Sequence, residues 1–129
     1  MKIQRQLHSR HLANTLYMSC NTGASLDNDF KSPTRGFMVG GAGKVQDKKT
    51  GEKALIFPSI LEVIIPKVET WIEENKLKRF QYYGVWCDKG KVYFDVSDNI
   101  FTSEAAKKIG KSRKQLAIWN LNTNKEITL

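Results

Sequence analysis

Tyr82-Tyr-Gly-Val-Trp-Cys-Asp-Lys-Gly-Lys-Val-Tyr-Phe-Asp-Val96 is the stretch whose reading decides the fold. Tyr83, Val85 and Cys87 alternate on one side of an extended segment, and Val92, Phe94 and Val96 alternate on the returning one. A period of two with apolar residues on one side belongs to a strand with one buried face. Asp88-Lys-Gly90 supplies the turn between the two runs, and Gly90 is free to take a positive φ. The stretch predicts an antiparallel hairpin.

On its N-terminal side the period changes. Leu61, Ile64, Ile65, Val68, Trp71 and Ile72 recur on one face of a helix. Pro58 and Ser59 suit its start. Pro66 lies inside the pattern and is expected to kink or divide the helix, because it lacks the backbone donor and crowds the preceding turn. Further upstream, Phe37-Met-Val39 and Ala54-Leu-Ile-Phe57 read as short strands. Lys48-Lys-Thr-Gly51 is a turn signal between them, which predicts a second hairpin. Gly40, Gly41 and Gly43 end or bend the first of these strands.

On the C-terminal side, Thr102-Ser-Glu104 caps a helix running to about Lys114, with Ala105, Ala106 and Ile109 as its inward residues. Leu116-Ala-Ile-Trp119 reads as a strand, Asn122-Thr-Asn124 as a turn, and Glu126-Ile-Thr-Leu129 as a returning edge strand. Tight turns join the strands. The expectation is an α+β fold, with a mainly antiparallel sheet of about 4–6 strands and two helices packed on one face.

Residues 1–35 read differently from 36–129. They are polar and basic, with Lys2, Arg5 and Arg10 but no acidic residue before Asp27. Lys31-Ser-Pro-Thr-Arg-Gly36 is rich in turn formers and marks the boundary. The expected organisation is a basic N-terminal arm over 1–35 and one α+β domain over 36–129. An acid-free, Arg-containing start also occurs in organelle transit peptides, but an arm lying on a partner or on the domain itself is the preferred reading. Ile3, Leu7, Leu12 and Leu16 are spaced roughly as a helical stripe, and Asn21 to Asp29 reads as loop.

The chain has 129 residues, one domain's worth, and its 40% hydrophobic content is that of a globular protein. Its 21 Lys and Arg against 13 Asp and Glu leave a formal charge of +8, which favours an anionic partner such as nucleic acid or an acidic host protein. A homo-oligomer or larger assembly is the other partner class. No apolar run approaches the roughly 18 residues of a membrane span, so no membrane role is expected. Cys20 and Cys87 form no C-x-x-C pair, and no signal-peptide core is visible. The host-cell cytoplasm is therefore the expected location, with the virion as the alternative. Whether the two cysteines pair stays open.

Several residues invite a chemical reading, and each has a plainer one. Gly40-Gly-Ala-Gly-Lys44 suggests a phosphate loop, but Met38 stands where a Walker motif needs its first glycine, and Val45 follows the lysine. A bend between strands accounts for it. His8 and His11 share helical spacing, yet no further ligand accompanies them, so no metal or other cofactor is expected. Asp95 and Asp98 flank Val96-Ser97 at a strand end. Paired carboxylates there would hold Mg²⁺ or do acid–base work, as in a small nuclease. Asp95 equally fits the solvated side of its strand. Ser97 and Cys87 have no histidine placed to activate them.

The strongest surface feature is basic. Lys107, Lys108, Lys111, Arg113 and Lys114 carry five positive charges within eight residues without an intervening acid. Positions 107, 111 and 114 are spaced to share a helix face. Lys44, Lys48, Lys49 and Lys53 form a second cluster. Such patches contact phosphates, and Phe80, Tyr82, Tyr93 and Trp119 are aromatics available to stack on bases. Cations near a helix C-terminus also simply complement its dipole.

Tyr83-Gly-Val-Trp-Cys-Asp-Lys-Gly-Lys-Val-Tyr-Phe-Asp-Val-Ser97, followed by Glu104-Ala-Ala…Gly110 and Gln115-Leu-Ala-Ile-Trp119, resembles a module of small uncharacterised phage and mobile-element proteins. The resemblance covers residues 82–127, with a looser echo in Arg35-Gly-Phe-Met-Val39. Asn120 stands where the pattern often has Asp. It implies a phage-type origin, no particular activity, and no catalytic residue. The expected function is that of a non-enzymatic accessory protein that binds a host protein or nucleic acid. The alternatives are a virion or assembly component, or an Mg²⁺-dependent nuclease using Asp95 and Asp98.

Overall fold

The computed structural model of the chain describes residues 2–43, 54–58 and 61–129. Along these run α1 (Lys2–Met18), β1 (Ala24–Leu26), β2 (Phe37–Val39), β3 (Ala54–Pro58), α2 (Leu61–Glu74), β4 (Gln81–Asp88), β5 (Lys91–Ile100), α3 (Ser103–Ser112), β6 (Ala117–Asn120) and β7 (Lys125–Thr128). All strand pairings are antiparallel, so the fold is α+β. The sheet has seven strands rather than the expected 4–6, and there are three helices rather than two. Strand order is β1-β4-β5-β2-β6-β7, with β3 also paired to β5.

The β4–β5 hairpin is the sheet's axis. Its register runs without a break from Gln81 opposite Asp98 to Asp88 opposite Lys91. Lys89 and Gly90 at its tip have φ of 49° and 76°. Two successive positive φ values give the turn the twist that a tight hairpin requires.

The second expected hairpin is not formed. β2 and β3 do not pair with each other, and both lie on the other edge of β5. Phe37 to Val39 face Ile100 to Asp98, and Ala54 to Pro58 face Asp95 to Lys91. The reason is the length of β5. It is ten residues long, Lys91 to Asp98 pair with β4 along one edge, and the N–H and C=O groups on the other edge also need partners. Two short strands placed end to end supply them. The Ala42 N–H donates to the Val96 carbonyl between the two, at 3.1 Å. The turn signal at 48–51 lies outside the described residues, as do Lys44, Lys48, Lys49 and Lys53.

Residue 35 does not mark a break in the core. Leu12, Ala13 and Leu16 of α1 are fully buried and share one apolar cluster with Val68, Trp71 and Ile72 of α2 and with Tyr83, Val85, Val92, Phe94 and Val96. Arg10 pairs with Glu69 at 3.2 Å across α1 and α2. The expected loop at 21–29 contains β1, which pairs with β4 from Ala24 opposite Val85 to Leu26 opposite Tyr83. α2 passes through Pro66 as a single helix, and the Thr70 hydroxyl donates to the Pro66 carbonyl at 3.1 Å. The buried Val68, Trp71 and Ile72 hold the turns that follow.

Thr102 caps α3, its side chain accepting from the Ala105 N–H. The helix stops at Ser112, two residues short of expectation, because Lys114 takes a left-handed φ of 57° and the chain turns away. Ala106 packs with Phe37, Val39 and Ile118 in a second apolar cluster, bordered by Ile100, Ile109, Ile127 and Leu129.

Candidate functional site

Residues directly opposite one another in a ladder share a face of the sheet. Val92, Phe94 and Val96 on β5 belong to the first cluster, and Phe37, opposite Ile100, and Val39, opposite Asp98, belong to the same alternating row. Both clusters therefore draw on one set of positions. The intervening positions form a second face that contributes to neither. On β4 these are Tyr82, Gly84 and Trp86, and on β5 they are Lys91, Tyr93, Asp95, Ser97 and Asn99. Met38 of β2 lies opposite both Asn99 and Trp119, which extends the second face to β6.

The second face is aromatic and partly open. Trp86 is 44% exposed and stacks flat on Tyr93, with ring centroids 3.9 Å apart and planes 4° from parallel. Trp119 is 42% exposed. Lys91 is exposed, two residues along β5 from Tyr93. Of the aromatics singled out by sequence, Tyr82, Tyr93 and Trp119 fall on this face. Phe80 does not belong to a ladder position there. It sits before β4 with φ 62°, edge-on to Phe101 at 5.4 Å, with the Arg79 guanidinium 4.9 Å from its ring.

Asp95 is at the centre of this face. It lies opposite Gly84, and a Cβ added at Gly84 would overlap the Asp95 carboxyl. At Gly40 a Cβ would stand 3.0 Å from Asp95 Oδ2 and 3.0 Å from Gln115 Oε1. The carboxyl thus lies over two glycines with a second acceptor oxygen nearby. Among the described residues the ion pairs are Arg10–Glu69 and Arg113–Asp98, and neither involves Asp95. Burial pushes its carboxyl up to about 6, only partly offset by a hydrogen bond from its own backbone.

Asp98 belongs to the other row. Its Oδ2 accepts from Arg113 Nη2 at 2.6 Å. The register therefore separates the carboxylates of Asp95 and Asp98 onto opposite faces, and the pair proposed for Mg²⁺ or acid–base work is not brought together. Ser97 is buried on the second face. His8 and His11 both rest against the Phe30 ring, at 5.5 and 4.7 Å. Among the described residues, no three His, Cys, Asp or Glu side chains converge as a metal site would require. Cys20 and Cys87 are free thiols and near neighbours. Burial, then the Cys20 thiol beside it, pushes Cys87 up to about 11.

The basic run of α3 divides. Lys107, Lys108 and Lys111 are exposed on the helix. Lys114 is exposed too, but it lies beyond the helix end, so the 107/111/114 stripe is broken. Arg113 turns inward. Besides Asp98, it donates to the carbonyls of Val39 at 3.4 Å and Gly40 at 3.2 Å. Its guanidinium joins α3 to β2 and β5.

Sequence reasoning missed Trp86, Lys91, Gly84 and Gln115. The alternation that placed Tyr83, Val85 and Cys87 in the core already put Tyr82, Gly84 and Trp86 opposite them, so Trp86 was legible. Gln115 was not, since its place above Gly40 depends on where the chain goes after α3.

Comparison with known proteins returns no match: no family model, no curated protein and no solved structure matches the chain. No helix among the described residues is long and apolar enough to cross a membrane.

Proposed function

We propose that this protein is a non-enzymatic binding protein of the phage accessory kind, and that its partner is single-stranded nucleic acid. The observation that carries the reading is the second sheet face. Tyr82, Trp86, Tyr93 and Trp119 share it, outside both apolar clusters, and Trp86 and Trp119 stay substantially exposed. Aromatic rings on an open sheet offer stacking platforms that accept any base, each worth about 1–3 kcal/mol. The net charge of +8 supplies long-range attraction for a phosphate backbone. Among the described residues Lys91 is the cation on the same row as the rings, whereas Lys107, Lys108 and Lys111 ride on α3, which packs on the row that carries Phe37 and Val39.

Fluorescence anisotropy with labelled single-stranded oligonucleotides over a salt series tests this. Affinity is expected to fall with salt, with a log–log slope of about −0.7 for each phosphate neutralised. Trp86→Ala is expected to weaken binding by about 5- to 100-fold, the equivalent of one lost stack. Lys91→Glu is expected to weaken it more than Lys107→Glu. Binding that is insensitive to Trp86 and Lys91 but lost in Lys107→Glu would move the interface to α3, and the absence of any binding would remove the reading.

A further inference from the structure

We infer that Arg35 and Arg79, each seated on a phenylalanine at the open end of the β4–β5 hairpin, form a clamp for phosphate groups of the bound strand. The inference rests on the nucleic-acid reading above and adds to it a contact region beyond the rings of the sheet.

The clamp is built where β4 begins and β5 ends. Phe80 directly precedes β4 and Phe101 directly follows β5. Their rings meet edge to face with centroids 5.4 Å apart, and both stay nearly half exposed, at 47% and 45%. The Arg35 guanidinium lies over the Phe101 ring at 5.4 Å, and the Arg79 guanidinium over the Phe80 ring at 4.9 Å. Both arginines are exposed. The order across the end of the hairpin is therefore cation, ring, ring, cation.

Buried Asn99 fixes this arrangement from β5. Its backbone N–H donates to the Phe80 carbonyl at 2.8 Å, and its side-chain Nδ2 donates to the Arg35 carbonyl at 2.9 Å. Gly36 lets the Arg35 loop lie against Phe101, since a Cβ there would stand 2.9 Å from the Ile100 carbonyl oxygen and 3.1 Å from the Phe101 ring. Phe80 has a left-handed φ of 62°, which bulky residues rarely adopt. The turn around it is closed by the Gln81 N–H on the Lys78 carbonyl at 3.1 Å and by the Lys78 N–H on the Gln81 side chain at 2.9 Å. Surrounding bonds thus hold a strained residue whose ring faces solvent, a cost that core packing does not require.

A cation over an aromatic ring spends none of its N–H donors on an acceptor. Among the described residues neither arginine forms an ion pair. Two donor forks are therefore pre-ordered and open, and the paired oxygens of a phosphate match such a fork. Arg79, Phe80 and Tyr82 line an open cleft of about 300 Å³ whose other wall carries Asp27 and Asp29. Asp27 is engaged within its own loop, its Oδ1 accepting from the Asp29 and Lys31 N–H groups at 2.8 and 3.0 Å. With Lys78 on the cleft and Arg35 across the two rings, the cations outnumber the acids. Tyr82 belongs to the second sheet face, so the cleft joins the clamp to the row of rings. Lys91 stands at the opposite end of the hairpin, so a strand lying over the rings meets cations at both ends.

The test is fluorescence anisotropy of the full chain with a labelled deoxythymidine dodecamer over a salt series. Arg35→Gln combined with Arg79→Gln is expected to weaken binding and to make the log–log salt slope shallower by about 1.4, or about 0.7 for each lost phosphate contact. Lys107→Gln combined with Lys111→Gln removes the same charge from α3 and is expected to leave the slope unchanged. Trp86→Ala is expected to weaken binding at an unchanged slope. Circular dichroism of each variant confirms folding. Oligonucleotide binding whose slope is unaltered in the arginine double variant, or falls equally in the lysine double variant, overturns the clamp and leaves the nucleic-acid reading in place. Displacement of the dodecamer by polyglutamate as readily as by inorganic tripolyphosphate at equal charge would assign the arginines to acidic protein segments and also overturn it. If the dodecamer does not bind but tripolyphosphate does by calorimetry, and the arginine double variant loses it, the phosphate site stands and the nucleic-acid reading falls. If neither binds, both fall.

Discussion

Asp95 lies directly across the β4–β5 ladder from Gly84, and its carboxyl occupies the space that a Cβ at Gly84 would need. The two residues are therefore one structural unit. Gly84→Ala forces the carboxyl to move, and the expected cost is about 1–3 kcal/mol, the usual range for overpacking. In an Asp95→Ala background the same change should cost less than about 0.5 kcal/mol, since the obstruction is gone. Urea denaturation of the four proteins measures the coupling. Equal costs in both backgrounds would show that the two positions do not compete for the same space.

The buried carboxyl also makes stability depend on pH. Its folded value of about 6 lies above the ordinary 3.8. The folded protein therefore holds this proton more tightly than the unfolded chain does. The resulting stability is fully present below about pH 4 and is lost as pH rises through 6. Asp95→Asn keeps the neutral form at every pH. It is expected to match the parent near pH 4 and to exceed it at pH 7.5 by on the order of 2 kcal/mol, a figure reduced for the solvent contact the residue retains. Denaturation midpoints of both proteins at the two pH values decide this, and a stability difference that does not change with pH would contradict it.

Arg113 distinguishes an architectural cation from a solvated one. It pairs with Asp98 at 2.6 Å and caps two backbone carbonyls of the β2 segment, with about a quarter of its side chain exposed. Arg113→Ala is expected to cost about 2–3 kcal/mol, because it strands a partly buried carboxylate as well as losing the hydrogen bonds. Lys111→Ala, two residues earlier and exposed, should stay within about 0.5 kcal/mol. Arg113→Lys should recover little, since a single ammonium cannot reach three acceptors in fork geometry. Thermal melts of the three variants are sufficient.

The Tyr83 hydroxyl lies 2.8 Å from the Asn75 carbonyl and 3.1 Å from that of Ile72, and it donates at the end of α2. The Ile72 carbonyl also accepts from the Asn75 N–H at 3.3 Å, so the hydroxyl joins the last turn of the helix to the sheet. Tyr83→Phe is expected to cost about 1–2 kcal/mol. Tyr93→Phe, at a half-buried site on the second face, should cost less than about 0.5 kcal/mol. A comparable loss in both would mean that the hydroxyl contributes nothing specific at position 83.

Much of the fold was legible because its largest signals are local. The alternation over 82–96 identified the hairpin, its turn and the inward residues Tyr83, Val85, Val92, Phe94 and Val96. The apolar spacing over 61–72 identified α2, and Thr102 identified the start of α3. The misreadings arose where the deciding partner is distant in sequence. The period of α1 was weak, and its burial depends on α2 and β4. The pairing of β2 and β3 was assigned to each other because they are neighbours in the chain, whereas the free edge of β5 was the stronger claimant.

The candidate site divides along the same line. By itself, the sequence determined the alternation, which put Tyr82, Gly84, Trp86, Tyr93 and Asp95 on the side of the strands away from the core, and it determined the charge excess of +8. Only the tertiary structure decided that Arg113 turns inward, that Asp95 and Asp98 part to opposite faces in fixed register, and that Gln115 reaches the glycines beside Asp95. The physical reason is that periodicity reports which side of its own element a residue occupies. Which groups then meet is set by packing and strand register between segments far apart in the chain, and local patterns carry no record of that.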